Sequence, residues 1–362
     1  MRNIVLLAPT IGSGGIASWA NKYKQTYDSQ EFNLISAPII KHVKDSDARL
    51  FTRIRLGINE INWVINNLKR IIKSNHIDIL HTTTSGSLGT FRDYKVVKLC
   101  KKNNIRTILH CHYGSMSEHF KNKLLRSALI KTFRLYDQIW VLDKQTYNLL
   151  KQYPDIADKV KLTPNPIAVT PNKVIEDKSF NNFVFIGNLI LKKGIIELAE
   201  AFKLANPNGK LHYIGQATSE VLNRLENVAG DLWGNKIIYH GLLPNDQAIE
   251  FLRQMDVLVL PTYYPQEAFP ISILEAMSQG KLAISTPRAA IPDMLTLSDG
   301  STCGVIVPEH NIQELADAMC RIQENTAEAN EMCQKAYHKA LSTYSSEIVY
   351  NMYFDLYREL LN

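Results

Sequence analysis

The sequence has few cysteines and no long apolar run, and both absences exclude classes of protein. No stretch reaches the ~20 consecutive apolar residues that a membrane-spanning helix needs. The five cysteines include no C-x-x-C pair and no regular spacing, which favours reduced thiols in a cytoplasmic protein over disulfides or a zinc site. The apolar start, MRNIVLLAPTIGSGG, lacks a basic stretch and a small-x-small cleavage site, so a first β-strand explains it better than a signal peptide.

Charged residues are present in ordinary amounts, but their signs are unevenly distributed. Residues 1–170 contain 26 Lys and Arg against 12 Asp and Glu, a net charge of +14, whereas residues 171–362 contain 15 against 23, a net charge of −8. This asymmetry predicts an anionic partner for the first half, and charge alone fits both nucleic acid and an acidic membrane surface. The length of 362 residues predicts two domains.

Short apolar runs alternate with longer amphipathic ones in both halves, which predicts βαβ units and two parallel sheets. The predicted strands are 4–8, 32–37, 77–81, 106–111, 138–142 and 160–162, then 183–186, 211–214, 237–239, 257–260, 282–285 and 305–307. We therefore predict an α/β protein with an N-terminal domain at 1–168, which the final helix 345–362 joins, and a C-terminal domain at 174–344. The Pro- and Asn-rich segment 165–173 is the predicted linker. Ligands are expected at the carboxyl ends of the strands, in a cleft between the domains.

Two loops of the first half carry candidate functional residues. Gly14 and Gly15 follow the first strand and open a helix, where glycine allows a phosphate or a sugar to approach the backbone closely. A purely structural turn and a dinucleotide fingerprint are the alternatives, although the second strand ends without the acidic residue that the fingerprint requires. The strand ILHCHYG ends at His112, an imidazole that can donate a hydrogen bond or transfer a proton, with His110 or a structural role as the alternatives.

Two loops of the second half carry the stronger patterns. The segment from Gly187 to Gly194 joins a strand to a helix start and contains two adjacent lysines, which suits a diphosphate, although solvated lysines in an ordinary loop are the alternative. The strand VLVLP leads to Glu267, and Glu275 follows on a helix. Carboxylates eight residues apart with apolar flanks can face one ligand, and a carboxylate accepts hydrogen bonds from the vicinal hydroxyls of a ribose or hexose.

Together these motifs resemble the retaining glycosyltransferases of family 4, or glycosyl transferases group 1, of the bacterial polysaccharide-biosynthesis type. The most specific match is the Glu-x7-Glu pattern from Glu267 to Glu275. The resemblance implies a GT-B fold, with two Rossmann-like domains facing each other across a cleft and a C-terminal helix that crosses back to the N-terminal domain. It also implies transfer of a sugar from a nucleotide diphosphate donor, UDP-sugar before GDP-mannose, to a glycan or lipid-linked acceptor.

The resemblance also implies a role for each candidate residue. Glu275 would hold the donor ribose, and Glu267 would act in catalysis by contacting the transferred sugar. His112 would be the second catalytic residue, and Gly14 and Gly15 would approach the donor phosphate or the acceptor. The remaining implied donor contacts are Gly187, Asn188, Lys192, Lys193, Gly241, Leu242, Leu243, Ala268, Phe269, Pro270 and Ile271.

Three expectations about the reaction follow from this resemblance and from the residues that are absent. The family usually has Arg at the position of Asn188, and Lys192 is expected to compensate for that missing charge. The sequence offers no clear nucleophilic carboxylate, so we expect front-face transfer with anomeric retention. No D-x-D stands at a suitable strand end, because Asp45 and Asp47 lie in a polar loop, and we expect neither a metal nor another cofactor.

The basic first half is explained by an amphipathic segment, 120–134, in which Lys and Arg interleave with Leu and Phe. This helix would lie on an anionic membrane surface, and we expect a cytoplasmic protein that is peripheral on the inner face of the membrane, with no nucleic-acid partner. Packing of its apolar face on the sheet is the alternative. A GT-B epimerase, an NAD(P)-dependent oxidoreductase and a non-catalytic nucleic-acid-binding protein remain alternative functions.

Overall fold

The computed structural model describes residues 1–10, 15–39, 50–86, 89–171 and 178–362. Within these ranges the chain forms two compact units, the first from Met1–Pro164 and Tyr350–Asn362, and the second from Asn165–Val349. The second unit includes residues 165–168 and 345–349, which the sequence assigned to the N-terminal domain and its final helix. Asn165 groups with the second unit because its Nδ2 donates to the Phe269 carbonyl at 3.3 Å. Ser345 groups there because its strand-like bridge with Ile167 holds it.

The first unit is a six-stranded parallel sheet in the order β2-β1-β3-β4-β5-β6. Its strands are β1 (Arg2–Pro9), β2 (Phe32–Ile39), β3 (Ile79–Thr84), β4 (Arg106–Cys111), β5 (Gln138–Val141) and β6 (Val160–Leu162). Its helices are α1 (Gly15–Thr26), α2 (Leu50–Ser74), α3 (Gly89–Lys101), α4 (Met116–Lys121), α5 (Lys123–Phe133), α6 (Lys144–Lys151) and α7 (Pro154–Ala157). Every residue of β3 and β5 is buried, as expected for a parallel sheet that helices cover on both faces.

The second unit is also a six-stranded parallel sheet, in the order β12-β11-β10-β7-β8-β9. Its strands are β7 (Asn182–Ile186), β8 (Lys210–Ile214), β9 (Ile237–Tyr239), β10 (Val257–Leu260), β11 (Leu282–Ser285) and β12 (Val305–Ile306). Its helices are α8 (Ile195–Ala205), α9 (Ser219–Ala229), α10 (Asn245–Arg253), α11 (Ile271–Ser278), α12 (Ile291–Leu295), α13 (Ile312–Glu324) and α14 (Thr326–Lys339). The predicted α/β class with two parallel sheets is therefore confirmed.

The last helix, α15 (Ser346–Leu361), packs most of its length against the first sheet. Its aromatic side chains are the reason: the Tyr357 ring stacks on Trp140 at a centroid distance of 5.6 Å, and Tyr353 contacts the same ring at 4.7 Å. At its end, Arg358 pairs with Glu31 at 2.8 Å. The C-terminal helix thus completes the N-terminal unit, as the sequence predicted.

The predicted continuous helix 120–134 is wrong, because the chain breaks at Asn122. This residue ends α4 and begins α5 with an extended backbone, and its Oδ1 accepts hydrogen bonds from the backbone N–H groups of Leu124 and Leu125. An asparagine at this position satisfies N–H groups that a helix start leaves without an internal partner, so it favours two helices over one.

Across the described part of the chain, no helix is both long enough and apolar enough to span a bilayer.

Candidate functional site

The second sheet reverses its strand order between β7 and β10, which are neighbours in the sheet although two strands, β8 and β9, lie between them in the sequence. Ligands of open parallel sheets bind where the order reverses, outside the carboxyl ends of the strands. The loop that follows β7 contains Lys192 and Lys193, and the loop that follows β10 contains Glu267. The two loops are joined by a hydrogen bond from the Tyr263 N–H to the Lys192 carbonyl at 2.9 Å.

Glycines allow these loops to approach one another backbone to backbone. Gly194 has φ +74°, and a Cβ there would lie 2.1 Å from the Pro261 carbonyl oxygen. A Cβ at Gly215, the residue that follows β8, would lie 1.9 Å from the Gly187 carbonyl oxygen. Neither position has room for a side chain, so the carboxyl edge of this sheet requires glycine at both.

The ends of β7, β8 and β9 are linked into one edge by backbone hydrogen bonds. The Gly187 N–H donates to the Ile214 carbonyl at 2.9 Å, and the Gly215 N–H donates to the Gly241 carbonyl at 2.8 Å. The predicted donor-binding positions Gly187 and Gly241 therefore lie on one continuous edge. Leu242 is 62% exposed beside this edge, and Leu243 is half-buried.

An ion pair spans the two loops at the reversal point. Lys193 Nζ lies 3.1 Å from Glu267 Oε2, and the two side chains are 17% and 12% exposed. The Oε2 atom is itself buried and makes no regular hydrogen bond within the described residues, so the pair is held by charge and proximity. Removing either partner would leave a charge in a poorly hydrated place, which is costly. The arrangement offers one cation and one carboxylate to the same ligand.

The neighbouring positions differ in what they expose. Lys192 has an exposed side chain, and Asn188 is half-buried and engaged in an interaction of its own. The expectation that Lys192 compensates for Asn188 stays a prediction.

The second predicted carboxylate, Glu275, is 7% exposed on α11. Pro270 precedes this helix without a side-chain cap, so the first N–H groups of α11 are left to other acceptors. Ala268, Phe269 and Pro270 are buried, and Ile271 is half-buried. The loop is held from the other side as well, because the Ala290 N–H donates to the Ala268 carbonyl at 3.1 Å. A buried carboxylate on a firmly packed helix is suited to binding hydroxyl groups rather than to a solvated role.

The predicted residues of the first unit lie around a cluster of aromatic rings. His112 follows β4, is 8% exposed, and packs on Trp19 and His110 at centroid distances of 4.7 and 4.0 Å. Burial lowers the pKa of His112 to about 3, so its imidazole is neutral at physiological pH. Gly15 is the exposed first residue of α1, and Gly14 lies outside the described residues, as do Asp45 and Asp47.

His81 on β3 was not predicted, although it contacts the predicted histidines. Its Nε2 lies 3.1 Å from His110 Nδ1, and its Nδ1 lies 2.7 Å from Tyr357 Oη. Burial lowers the pKa of His81 to about 3 and that of His110 well below its usual range. The sequence carried a weak signal for this residue, a histidine within the otherwise apolar and threonine-rich run ILHTTT.

Among the residues that the structure describes, no group of three or more His, Cys, Asp or Glu is arranged to hold a metal ion. The candidate sites therefore consist of a Lys–Glu pair with a buried carboxylate in one unit and a neutral histidine cluster in the other.

Two family models match consecutive parts of the chain. The model described as Glycosyltransferase Family 4 matches residues 36–170, and the model described as Glycosyl transferases group 1 matches residues 168–339.

Individual proteins agree with these matches. An uncharacterized 41.2 kDa protein in the cps region of Klebsiella pneumoniae is 22% identical over 88% of this chain and 89% of its own length. The capsular polysaccharide biosynthesis glycosyltransferase CapM of Staphylococcus aureus is 24% identical over 78% of this chain and 70% of its own length. The crystal structure of Anabaena Alr3699/HepE in complex with UDP and glucose is 15% identical, covers 99% of this chain and 100% of its own, and has a TM-score of 0.69.

The two family models together match residues 36–339, which contain all of the second sheet and all of the first except β1 and part of β2. The likeness to the solved structure, at 15% sequence identity, shows the fold alone. The chain therefore belongs to glycosyltransferase family 4 and is a transferase with the GT-B fold.

Proposed function

We propose that this enzyme transfers a sugar from a nucleoside diphosphate donor, with UDP-sugar preferred and GDP-mannose next, to a glycan or lipid-linked glycan in surface polysaccharide assembly. The observation that carries the donor proposal is the Lys193–Glu267 pair at the point where the second sheet reverses its strand order. UDP is favoured because the similar Anabaena structure contains UDP and glucose. The polysaccharide acceptor is favoured by the name of the Staphylococcus relative.

In this proposal the second unit binds the donor from its base to its sugar. The edge formed by Gly241, Leu242 and Leu243 packs on the base, and the buried Glu275 carboxylate accepts hydrogen bonds from the ribose hydroxyls. The remaining contacts follow the same edge of the sheet and comprise Gly187, Asn188, Lys192, Ala268, Phe269, Pro270 and Ile271.

Lys193 and Glu267 act on different parts of the donor: Lys193 on the departing diphosphate and Glu267 on the transferred sugar. The ammonium group stabilises the negative charge that develops on the departing diphosphate, together with N–H groups at the start of α11. The Glu267 carboxylate accepts hydrogen bonds from the transferred sugar. A lysine and a helix start provide the positive charge that a diphosphate needs, so we propose that the reaction requires no metal or other cofactor.

We propose that transfer retains the anomeric configuration. The bond between the anomeric carbon and the phosphate oxygen breaks, the acceptor oxygen bonds to the same face of that carbon, and the acceptor proton passes to the departing phosphate. His112 contributes a neutral hydrogen-bonding group to the sugar, consistent with its lowered pKa. Gly14 and Gly15 are proposed to approach the phosphate or the acceptor.

We also propose that the first unit rests on an anionic membrane at the inner face of the cell membrane. Residues 89–134 contain 11 Lys and Arg against 2 Asp and Glu. On α5, Leu129, Ile130 and Phe133 are buried in the core, so most of the apolar face packs inward. Leu124, however, is 84% exposed among the basic residues, which suits shallow insertion beside anionic headgroups. A lipid-linked acceptor would be met at such a surface.

A thermal-shift comparison of UDP-glucose, GDP-mannose and ADP-glucose tests the donor proposal. A ligand at 100 times its dissociation constant stabilises the folded state by about 2.7 kcal/mol. We expect UDP-glucose to raise the melting temperature of the wild type, and Glu275→Ala and Glu275→Gln to lose that increase relative to their own ligand-free values. Glu250→Gln, which changes an exposed surface carboxylate, serves as the control. A wild type that responds to no nucleotide sugar, or a Glu275 variant that responds fully, would contradict the assignment.

A further inference from the structure

Two buried histidines of the first unit, His81 and His110, belong to a longer hydrogen-bonded chain. His110 Nδ1 pairs with His81 Nε2, and His81 Nδ1 pairs with Tyr357 Oη. Tyr357 Oη in turn lies 2.9 Å from Tyr23 Oη. All four side chains are completely buried, so water does not compete for these bonds. These hydrogen bonds link four elements of the unit, α1, β3, β4 and α15.

Such a chain has two possible directions, because each interior group accepts one hydrogen bond and donates one. In one direction, Tyr23 donates to Tyr357 and Tyr357 donates to His81. His81 then donates to His110. In the other direction, the donor and the acceptor of every bond are exchanged. A phenol has a pKa of about 10 and donates well, and an imidazole nitrogen, with a conjugate acid of pKa about 6.5, is the stronger acceptor. The favoured direction therefore runs from the tyrosines to the histidines. Both histidines then carry their proton on Nε2.

The chain ends beside the predicted catalytic histidine. His110 Nε2 is buried and has no hydrogen-bond partner among the described residues, and the same holds for His112 Nε2. The two rings are 4.0 Å apart, with an interplanar angle of 45°. An imidazole ring without fixed partners can rotate by half a turn and exchange nitrogen for carbon. Fixing the His110 ring therefore also fixes the surface on which His112 packs.

We propose that His81 and His110 are positioning residues for His112, and that the chain from Tyr23 through Tyr357 holds them in one tautomer and one orientation. The proposal rests on the proposed role of His112 in sugar transfer. The C-terminal helix therefore has two roles. It packs on the sheet, and its Tyr357 hydroxyl group determines the tautomer and the orientation of His81 and His110.

Long-range ¹H–¹⁵N NMR spectra of the full chain test the chain directly and need no substrate. We expect His81 and His110 to be protonated on Nε2 in the wild type. Tyr357→Phe removes the hydroxyl group that donates to His81, so it should change the nitrogen signals of both histidines. Tyr350→Phe removes a hydroxyl group from the same helix that bonds Thr26 instead, and it should leave them unchanged. Nδ1 protonation of His110, or signals indifferent to Tyr357→Phe, would overturn the proposal.

The rate of nucleotide release from UDP-glucose tests the positioning role. One lost hydrogen bond is worth about 1 kcal/mol, so Tyr357→Phe should lower kcat by about fivefold, with KM for the donor nearly unchanged. Tyr350→Phe should retain the wild-type rate, and His110→Asn, which keeps a polar atom near Nδ1, should retain more activity than His110→Phe. If Tyr357→Phe altered the histidine signals but left kcat unchanged, the proposed positioning role of His81 and His110 would be overturned. A wild type that releases no nucleotide from UDP-glucose or GDP-mannose in the presence of a glycan or lipid-linked acceptor contradicts the proposed function instead, while the NMR result still decides whether the hydrogen-bonded chain exists.

Discussion

The two units have the same architecture and opposite chemistry. Each is a six-stranded parallel sheet whose strand order reverses once, and each places its candidate residues at the carboxyl edge near that reversal. In the first unit these residues are neutral rings whose pKa values burial has lowered, as at His110 and His112. In the second they are an ion pair, Lys193 and Glu267, and a buried carboxylate, Glu275. The sheet thus determines where a ligand can bind, and the side chains determine which charge it meets.

The two edges are also held together differently. In the second unit, glycines bring backbone against backbone, as at Gly194 beside Pro261 and Gly215 beside Gly187. In the first unit, closely packed rings fill the space. For example, Trp19 packs edge-on against His110, with the ring centroids 5.0 Å apart. A substitution should therefore act through backbone geometry in one unit and through ring packing or protonation in the other.

The largest effect is expected from Glu267→Gln, which removes the carboxylate charge at the edge of the second sheet while keeping the shape of the side chain. Turnover should fall by about 10²–10³-fold, the range found when one preorganised electrostatic contact is lost. The thermal shift on UDP should survive, because Glu267 is assigned to the sugar and not to the nucleotide. Glu250→Gln is the matched control on the surface. Unchanged turnover would remove Glu267 from the catalytic site.

Gly194→Ala should separate backbone geometry from side-chain chemistry. Its Cβ would lie 2.1 Å from the Pro261 carbonyl oxygen, so we expect the free energy of unfolding to fall by about 3 kcal/mol. Gly234 has the same φ of +74° with no atom within 4 Å of its Cβ position, and Gly234→Ala should cost about 1 kcal/mol. Urea unfolding measures both. Equal losses would show that the close approach to Pro261 does not matter.

Acid should destabilise the first unit through its buried histidines. The pKa of His112 is lowered to about 3 in the folded state, whereas the unfolded chain binds a proton near pH 6.5. The unfolded state therefore binds more protons below pH 6.5, and the free energy of unfolding should fall by about 2 kcal/mol for this histidine between pH 7 and pH 5.

The slope of unfolding free energy against pH tests this expectation. His112→Asn should reduce the slope below pH 6 by about 1.4 kcal/mol per pH unit, which corresponds to one proton. An identical slope in His112→Asn and wild type would mean that His112 is charged in the folded protein.

The smallest expected effect is on membrane binding, which should differ between the basic half and the acidic half of the chain. Leu124→Ser should weaken binding to phosphatidylglycerol vesicles by about fivefold, since burying one leucine contributes on the order of 1 kcal/mol at an interface. Leu204 is 55% exposed in the acidic half, and Leu204→Ser should have no effect. Vesicles of phosphatidylcholine alone should bind neither variant nor wild type. Equal binding by Leu124→Ser and wild type would exclude insertion at α5.

Most of the fold could be predicted because each strand is signalled by its own residues. All twelve predicted strands are present, and runs such as VLVL and LAIS are apolar throughout because both faces of a parallel sheet are covered. The break at Asn122 was missed although its signal is local, since the basic and apolar periodicity continues across it. The capping tendency of asparagine outweighed that periodicity.

The candidate site was only partly accessible to the same reasoning. Glu267 and Glu275 were singled out because the Glu-x7-Glu spacing follows a buried strand, and their roles stay a prediction. His81 and Tyr357 were not singled out, because 276 residues separate them and nothing near either one indicates the other.

The order of strands and helices, the division of charge between the halves and the glycine positions in the loops were written in the sequence by itself, since each depends on neighbouring residues. Only the tertiary structure decided that Lys193 pairs with Glu267 and that the last helix completes a hydrogen-bonded chain with His81. These contacts depend on which strands become neighbours in the sheet, and that choice is made by the packing of the whole unit.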